Sequence, residues 1–407
     1  MRRAVPEAIS RDRSRRAPGP RVIISALGIG QIFAWGSSYY LPAVLAKPIA
    51  ADTGWSLAWI VGGLSLGLVA AGAVSPGIGR TIERRGGRPV LAASTLLLAA
   101  GLVVLALARN FAVYLAGWLI VGLGMGAGLY DPAFATLGRL YGEAARPAIT
   151  TLTLFGGFAS TVCWPLSAFL VGHAGWRGTC LAYAALQLIV LLPLYLVTLP
   201  CEVERQAKEE RNAPPASGGT SASGTRRTAR LFVSLAVAIT LSSTISTLVS
   251  VHLLTILQSR GLSLAAAVAL GALVGPSQVG ARLIELVIAR YHHPIWTKLV
   301  STLLVAVGVA ALWAMMPVLA LPLVCYGAGI GLESIARGTL PLALFAGPGY
   351  AARMGRLAMP SLMAQAAAPS IGAAWLSAYG TEGTLAALTL VAVSNFLLVV
   401  TMLVSLR

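Results

Sequence analysis

The sequence predicts an all-α integral membrane protein of twelve transmembrane helices, arranged as two pseudo-symmetric six-helix bundles. Three observations predict it. Hydrophobic residues make up 57% of the 407-residue chain and charged residues only 11%, a balance foreign to soluble domains. An apolar run of about 20 residues spans a bilayer, and about twelve such runs follow one another here. Short patterns of the first half recur in the second at offsets of 203 to 207 residues.

The runs fall near 22–50, 56–78, 89–108, 111–138, 147–171, 178–199, 231–257, 263–288, 295–314, 317–344, 358–378 and 383–405. Residues 1–20, rich in Arg with Pro and Gly, are expected to form a disordered basic tail ahead of an N-terminal bundle over 21–200. The first run is long enough to stay as a helix, so no cleavable signal is expected. Residues 201–230 are charged, then rich in Pro, Ser, Gly and Thr, then basic, the composition of a flexible linker. The C-terminal bundle takes 231–407.

Internal matches link the halves. GLYDPAFATL (128–137) aligns with GLESIARGTL (331–340), GWRGT (175–179) with GTEGT (380–384), and GWSLA (54–58) with GLSLA (261–265). The last match, at offset 207, aligns two helix starts without a gap and sets Arg282 opposite Ser75. A rival register at 202 would put Arg282 at the membrane edge.

The net charge of +17 does not point to nucleic acid. With the N-terminus cytoplasmic, Lys47, Arg109, Arg177 and Arg260 fall outside and Arg282 and Arg337 fall within helices. Every other Lys and Arg falls on the cytoplasmic side. This is the positive-inside bias, so the charge sets topology in an inner membrane with both termini cytoplasmic. Cys163, Cys180 and Cys325 lie in helices and Cys201 just past one, with neither metal nor disulfide spacing. No metal, cofactor or catalytic cluster is expected, and no P-loop is present.

Polar residues inside the helices mark the candidate site. The first helix carries GQIFAWGSSYYLP, where Gln31, Trp35, Ser38, Tyr39 and Tyr40 are too polar to face lipid. They are expected to line a cavity; interhelical packing is the alternative. The fourth helix carries Tyr130 and Asp131, the latter about 12 Å inside Arg139 at 1.5 Å per residue. The seventh supplies Thr247 among several hydroxyls, with His252 nearby. The eighth reads GPSQVGARLIELVIAR, with Gln278, Arg282 and Glu285 each about a turn apart. An arginine within a bilayer costs at least about 2.5–3.5 kcal/mol, so Arg282 should face a water-filled cavity or a partner. The tenth holds Glu333 and Arg337 at i, i+4 in the order that favours pairing. That leaves Asp131 without a local partner, and an unpaired buried carboxylate readily takes up a proton. Asp131 is therefore the first candidate proton carrier and Glu333 the second; a structural lock between Asp131 and Arg139 is the alternative.

Between the second and third helices, GRTIERRGGRPVL (79–91) resembles the signature loop of the major facilitator superfamily, roughly G-x-x-x-D-R-x-G-R-[KR]. Gly79, Arg84, Gly86 and Arg88 match; Glu83 replaces the usual Asp, and Gly87 stands where a basic residue is common. The resemblance implies that this loop and Arg337 gate the cytoplasmic ends. It implies a cavity lined by helices one, four, seven and ten, with Trp35, Tyr39, Tyr130, Thr247 and Glu333 on its walls. Within the superfamily, ERRGGRPV (83–90) and GPSQVGAR (275–282) are similar to the corresponding windows of monocarboxylate porters, whose eighth-helix arginine binds the substrate carboxylate. Arg282 takes that place. Gln278 replaces an aspartate linked there to proton coupling.

These readings converge on a secondary active transporter of a small organic anion or monocarboxylate, working by alternating access as a monomer in the lipid bilayer, with the proton as coupling ion. Efflux of drugs or of a metalloid such as arsenite is the alternative within the superfamily. A membrane enzyme is the rival from another class and would need a catalytic cluster. A channel is a further rival, against which the duplicated halves speak.

Overall fold

The structure, a computed structural model, describes residues 19–201 and 222–406. Residues 1–18 of the expected tail and most of the expected linker lie outside the described residues. The first half contains α1 (Pro20–Gly36), α2 (Leu41–Thr53), α3 (Leu57–Arg85), α4 (Gly87–Leu107), α5 (Phe111–Gly128), α6 (Tyr130–Tyr141), α7 (Arg146–Gly157), α8 (Ala159–Leu186) and α9 (Leu192–Thr198). The second contains α10 (Ala222–Gln258), α11 (Leu264–Gly271), α12 (Val274–Ile288), α13 (Pro294–Trp313), α14 (Ala320–Phe345) and α15 (Tyr350–Leu406). Among the described residues there is no strand. Among the described residues eight helical runs are long and apolar enough to cross a membrane, and two of them, Phe111–Thr198 and Tyr350–Leu406, are 88 and 57 residues long.

Helices are the expected solution in lipid, because each backbone donor finds its acceptor within the same segment. Large apolar side chains such as Trp59, Val197, Ile284, Leu390 and Val404 point outward and are exposed. In water that would be costly; against acyl chains it is not.

The repeat is visible in the backbone. Gly175 and Gly380, at offset 205, adopt φ 66°, ψ −179° and φ 65°, ψ −172°, turning the chain inside each of the two longest runs. Such angles suit glycine alone. Gly54 and Gly261, at offset 207, have φ 73° and 85°. Two residues later Ser56 and Ser263 each cap a helix, accepting from the N–H of Trp59 and of Ala266. The 207 register thus holds at these helix starts. The turn charges are arranged alike. Arg177 donates to the Ala106 and Ala108 carbonyls at the end of α4 and pairs with Asp52. Arg260 donates to the Leu312 carbonyl in the last turn of α13 and pairs with Glu382.

One boundary differs from expectation. α10 starts at Ala222, so residues 222–230 are helical rather than linker. That stretch has no proline to interrupt the ladder, and Arg227 reaches the Ser405 carbonyl at the end of α15.

The halves meet along α3 against α15, and along α7 against α12 and α14. At the end carrying Arg84, Arg85 and Arg88, here termed the basic end, one apolar core draws on both halves, including Ile82, Phe134, Ile149, Leu340, Phe345 and Tyr350. Toward the other end the core divides. One cluster belongs to the first half, joined by Ala358, Leu362 and Ala366 of α15, and the other to the second half. The molecule is therefore closed at the basic end.

Candidate functional site

A central cavity with an empty volume of ≈ 450 Å³ lies between α1, α3, α5, α6, α14 and α15. Trp35, Tyr39 and Tyr130 form its aromatic wall, Leu68 and Leu362 extend the apolar surface, and Asp131 and Arg337 supply the charge. Trp35 packs 5.3 Å from Tyr39 and 5.1 Å from Tyr130, centroid to centroid. The expected helices one, four and ten contribute, but α3 and α15 take the place expected of the seventh helix. Thr247, on α10, is buried and does not line the cavity.

Asp131 and Arg337 form a two-pronged pair across the halves. Arg337 donates from Nε to Oδ1 at 3.0 Å and from Nη2 to Oδ2 at 2.8 Å. Ser361 at 2.9 Å and Ser243 at 3.4 Å accept further guanidinium protons. Two sequence expectations are corrected here. Asp131 is not an unpaired carboxylate, and Arg337 does not pair with Glu333. Glu333 instead accepts from Lys298 Nζ at 2.5 Å and from Ser301 at 3.0 Å, turned toward α13 and away from the cavity. Lys298, counted from the sequence among the cytoplasmic-side cations, is 1% exposed inside the bundle. A buried ammonium is costly in isolation, and Glu333 offsets that cost. Lys298 was legible in retrospect: it stands one turn into an apolar helix, among Thr297, Ser301 and Thr302.

Arg282 is 6% exposed. Its Nε donates to Ser334 Oγ at 3.1 Å and Gly331 O at 3.4 Å, its Nη1 to Thr153 O at 3.2 Å, and its Nη2 to Gln278 Oε1 at 3.4 Å. These acceptors are neutral, and among the described residues no carboxylate lies within salt-bridge distance of it. Glu285, its neighbour one turn on, turns away to accept from Thr297 at 2.7 Å and to meet His292 at 3.5 Å. Gly157 makes room for the guanidinium, since a Cβ there would lie 2.1 Å from Nη1. The Tyr130 hydroxyl donates to the same Thr153 carbonyl at 3.3 Å, so Arg282 lies beside the aromatic wall without lining the cavity.

Gln31 has a different task from the one expected. It is fully buried, donating to Gly128 O at 2.8 Å and accepting from Trp35 Nε1 at 3.1 Å. Pro132 has no N–H to give the Gly128 carbonyl four residues back, and Gln31 satisfies it. Tyr40 stands behind the wall, packed on Trp35, Tyr39 and Trp164. His252 contacts the Pro369 carbonyl at 3.0 Å and packs on Gly372.

At the basic end, the Glu83 carboxylate crosses between halves and accepts from the N–H groups of Gly349 and Ala351, both at 2.9 Å, at the start of α15. A carboxylate at a helix N-terminus meets unsatisfied donors and the positive end of the dipole. Arg139 donates to the Glu83 carbonyl at 2.5 Å, and so serves the loop rather than Asp131. Gly79 and Gly355 let α3 and α15 touch: a Cβ at Gly79 would lie 2.4 Å from the Ala351 carbonyl. Gly86 turns the chain with φ 78°. Arg84 is exposed in the last turn of α3, and Arg88 donates to the Leu196 carbonyl at 2.6 Å.

A family model described as Major Facilitator Superfamily matches residues 27–345. The chain belongs to the Major Facilitator Superfamily. It is 29% identical over 160 residues to the transcription regulatory protein OpdE of Pseudomonas aeruginosa, covering 39% of this chain and 40% of that protein. It is 33% identical over 141 residues to monocarboxylate transporter 11 of Mus musculus, covering 34% and 30%. It is 36% identical over 110 residues to monocarboxylate transporter 3 of Rattus norvegicus, covering 26% and 22%. The matched stretches thus span 40% or less of each relative's length. Among solved structures it is similar to the human organic anion transporter MFSD10 (TETRAN), with TM-score 0.70 and 18% identity over 94% of this chain and 100% of that one. It is also similar to the proton:xylose symporter XylE bound to 6-bromo-6-deoxy-D-glucose, with TM-score 0.67 and 15% identity over 93% and 94%. At such identities the structural likeness speaks to fold alone.

As a superfamily member the chain is a multi-pass membrane transporter for small molecules rather than an enzyme. The basic-end contacts of Gly79, Glu83 and Gly86 fall in the superfamily's signature loop. The charge pairs inside the superfamily fold are what sequence reasoning assigned wrongly.

Proposed function

We propose that the chain is a secondary active transporter of a small organic anion, of the monocarboxylate class, coupled to protons. One observation carries the reading: Arg282 is buried, held by neutral acceptors at 3.1–3.4 Å, and among the described residues no carboxylate pairs with it. An arginine so placed is a receptor for an anion, and its planar fork matches a carboxylate. The names of the two monocarboxylate transporter relatives support this class. Asp131, on the cavity wall, is the proton carrier. The basic end is cytoplasmic, the membrane is the inner membrane, and the working unit is a monomer. Twelve spans in two six-helix halves follow if Phe111–Thr198 is divided near Gly142 and at Gly175, Tyr350–Leu406 is divided at Gly380, and Ala320–Phe345 counts as a span beside the six other runs.

Uptake of radiolabelled pyruvate and benzoate into sealed proteoliposomes, with and without an imposed pH gradient, tests this. Arg282→Lys keeps the charge but loses the fork. Losing one charge-assisted hydrogen bond of about 1.5–3 kcal/mol weakens binding roughly 10- to 150-fold. Undiminished uptake by Arg282→Leu would sink the substrate role.

A further inference from the structure

We propose that Arg337 is a second anion-binding residue, that Asp131 holds its place in the empty transporter, and that substrate carboxylate and proton replace that contact together. The inference rests on the organic-anion reading and adds to it how the proton and the anion are linked.

The argument starts from position. Asp131 belongs to α6 in the first half and Arg337 to α14 in the second, and both face the cavity. Alternating access separates the halves at the basic end once per cycle, so this pair must break each time. Breaking a buried pair strands two charges, at about 3–5 kcal/mol. Something must take Asp131's place on the guanidinium.

Among the described residues no other acid near the pair is free to do so. Glu333, one turn away on α14, is held by Lys298 and Ser301. Drawing it to Arg337 would strand Lys298, which is 1% exposed. Ser243 and Ser361 already accept from Arg337 and carry no charge. Among the described residues, the other ionisable groups around the pair are Tyr39 and Tyr130 on the cavity wall, Tyr350 on α15, whose buried hydroxyl has no hydrogen-bond partner there, and the Glu83–Arg139 contact further toward the basic end. α3 presents Ser75 to the cavity and α15 Gln365, neither of them charged.

The charge account then closes. In the empty site Asp131 is negative and Arg337 positive. A proton entering through the cavity binds one Oδ of Asp131, which releases the fork. The freed guanidinium then takes the substrate carboxylate as a second anion-binding group beside Arg282. The Asp131–Arg337 pair is balanced before and after, so neither state leaves an uncompensated charge at this position. The aromatic wall of Trp35, Tyr39 and Tyr130 receives the apolar body of the anion. Because the displaced contact joined the two halves, loading also loosens the closed end.

The test is calorimetric binding of benzoate, a flat apolar carboxylate, to the purified full-length protein between pH 6 and 8, in two buffers of different ionisation enthalpy. We expect about one proton taken up per benzoate bound, and therefore about tenfold weaker binding for each unit that the pH rises across this range. Asp131→Asn should bind benzoate with no proton uptake and no pH slope, and Arg337→Lys should bind it at least about tenfold more weakly. Benzoate binding without proton uptake in the unaltered protein overturns the proposal, and does so even if Asp131→Asn does not fold. Should that binding still depend on Arg282, the organic-anion reading stands while this inference falls. No benzoate binding at any of these pH values defeats both.

Discussion

Replacing Glu83 by alanine should open the basic end. The Glu83 carboxylate is the acceptor for two backbone N–H groups of the opposite half, both at 2.9 Å. A hydrogen bond to a charged group contributes about 1.5–3 kcal/mol, and the side chain is 28% exposed, so the lower figure applies. Two such bonds give about 3 kcal/mol for holding the halves together, or about 150-fold in the closed-to-open ratio. The 3.9 Å contact with Arg139 adds little at this exposure. The change in ratio can be read directly as long as the closed form predominates in both proteins. Met354, 1% exposed in the core shared by both halves, is changed to cysteine in a protein lacking Cys163, Cys180, Cys201 and Cys325. Its alkylation by a maleimide follows the open fraction, so Glu83→Ala should speed it about 150-fold. Glu83→Gln, which keeps one acceptor oxygen, should fall between. A change below about threefold, under 1 kcal/mol, would refute the latch. Transport should suffer more than substrate binding, and equal loss of both would count against a gating role.

Two further outcomes test the buried charges and the loop at the same end. Lys298→Met strands the Glu333 carboxylate and should destabilise the protein by about 3–5 kcal/mol, whereas Lys298→Met with Glu333→Gln should recover most of the loss. Thermal unfolding in detergent checks this, and a single variant as stable as the unaltered protein would contradict the pairing. His293 caps α13, its Nδ1 accepting from the Ile295 N–H at 3.2 Å. Burial, then the nearby Arg146 and His292, hold its imidazole below the ordinary 6.5. The folded state therefore binds this proton less readily than the unfolded chain. The stability it contributes is full above about pH 6.5 and is lost as pH falls toward the lower folded value. His293→Asn keeps a capping acceptor and should flatten that slope in unfolding temperature between pH 5 and 7; an unchanged slope would remove His293 as its source.

The sequence by itself determined what depends on neighbours along the chain. Apolar runs became helices, Gly54 and Gly261 became left-handed turns, and Ser56 and Ser263 became caps at matching places in the two halves. These are local matters of backbone freedom and hydrogen bonding, so pattern and offset suffice. The basic end was legible too, because Gly79, Glu83 and Gly86 sit in a loop whose residue types have few other uses. Tertiary structure alone decided who pairs with whom inside the bundle. Spacing of i, i+4 favoured Glu333 with Arg337, and one turn favoured Arg282 with Glu285, yet both pairs are absent. Along one helix such a pair is worth only about 0.2–0.5 kcal/mol. Packing fixes each helix's rotation and so aims its long side chains at other helices, where a buried two-pronged contact is worth far more. Asp131 thus reaches Arg337 from another half of the molecule, Glu333 is left to Lys298, and Arg282 keeps its fork among neutral acceptors.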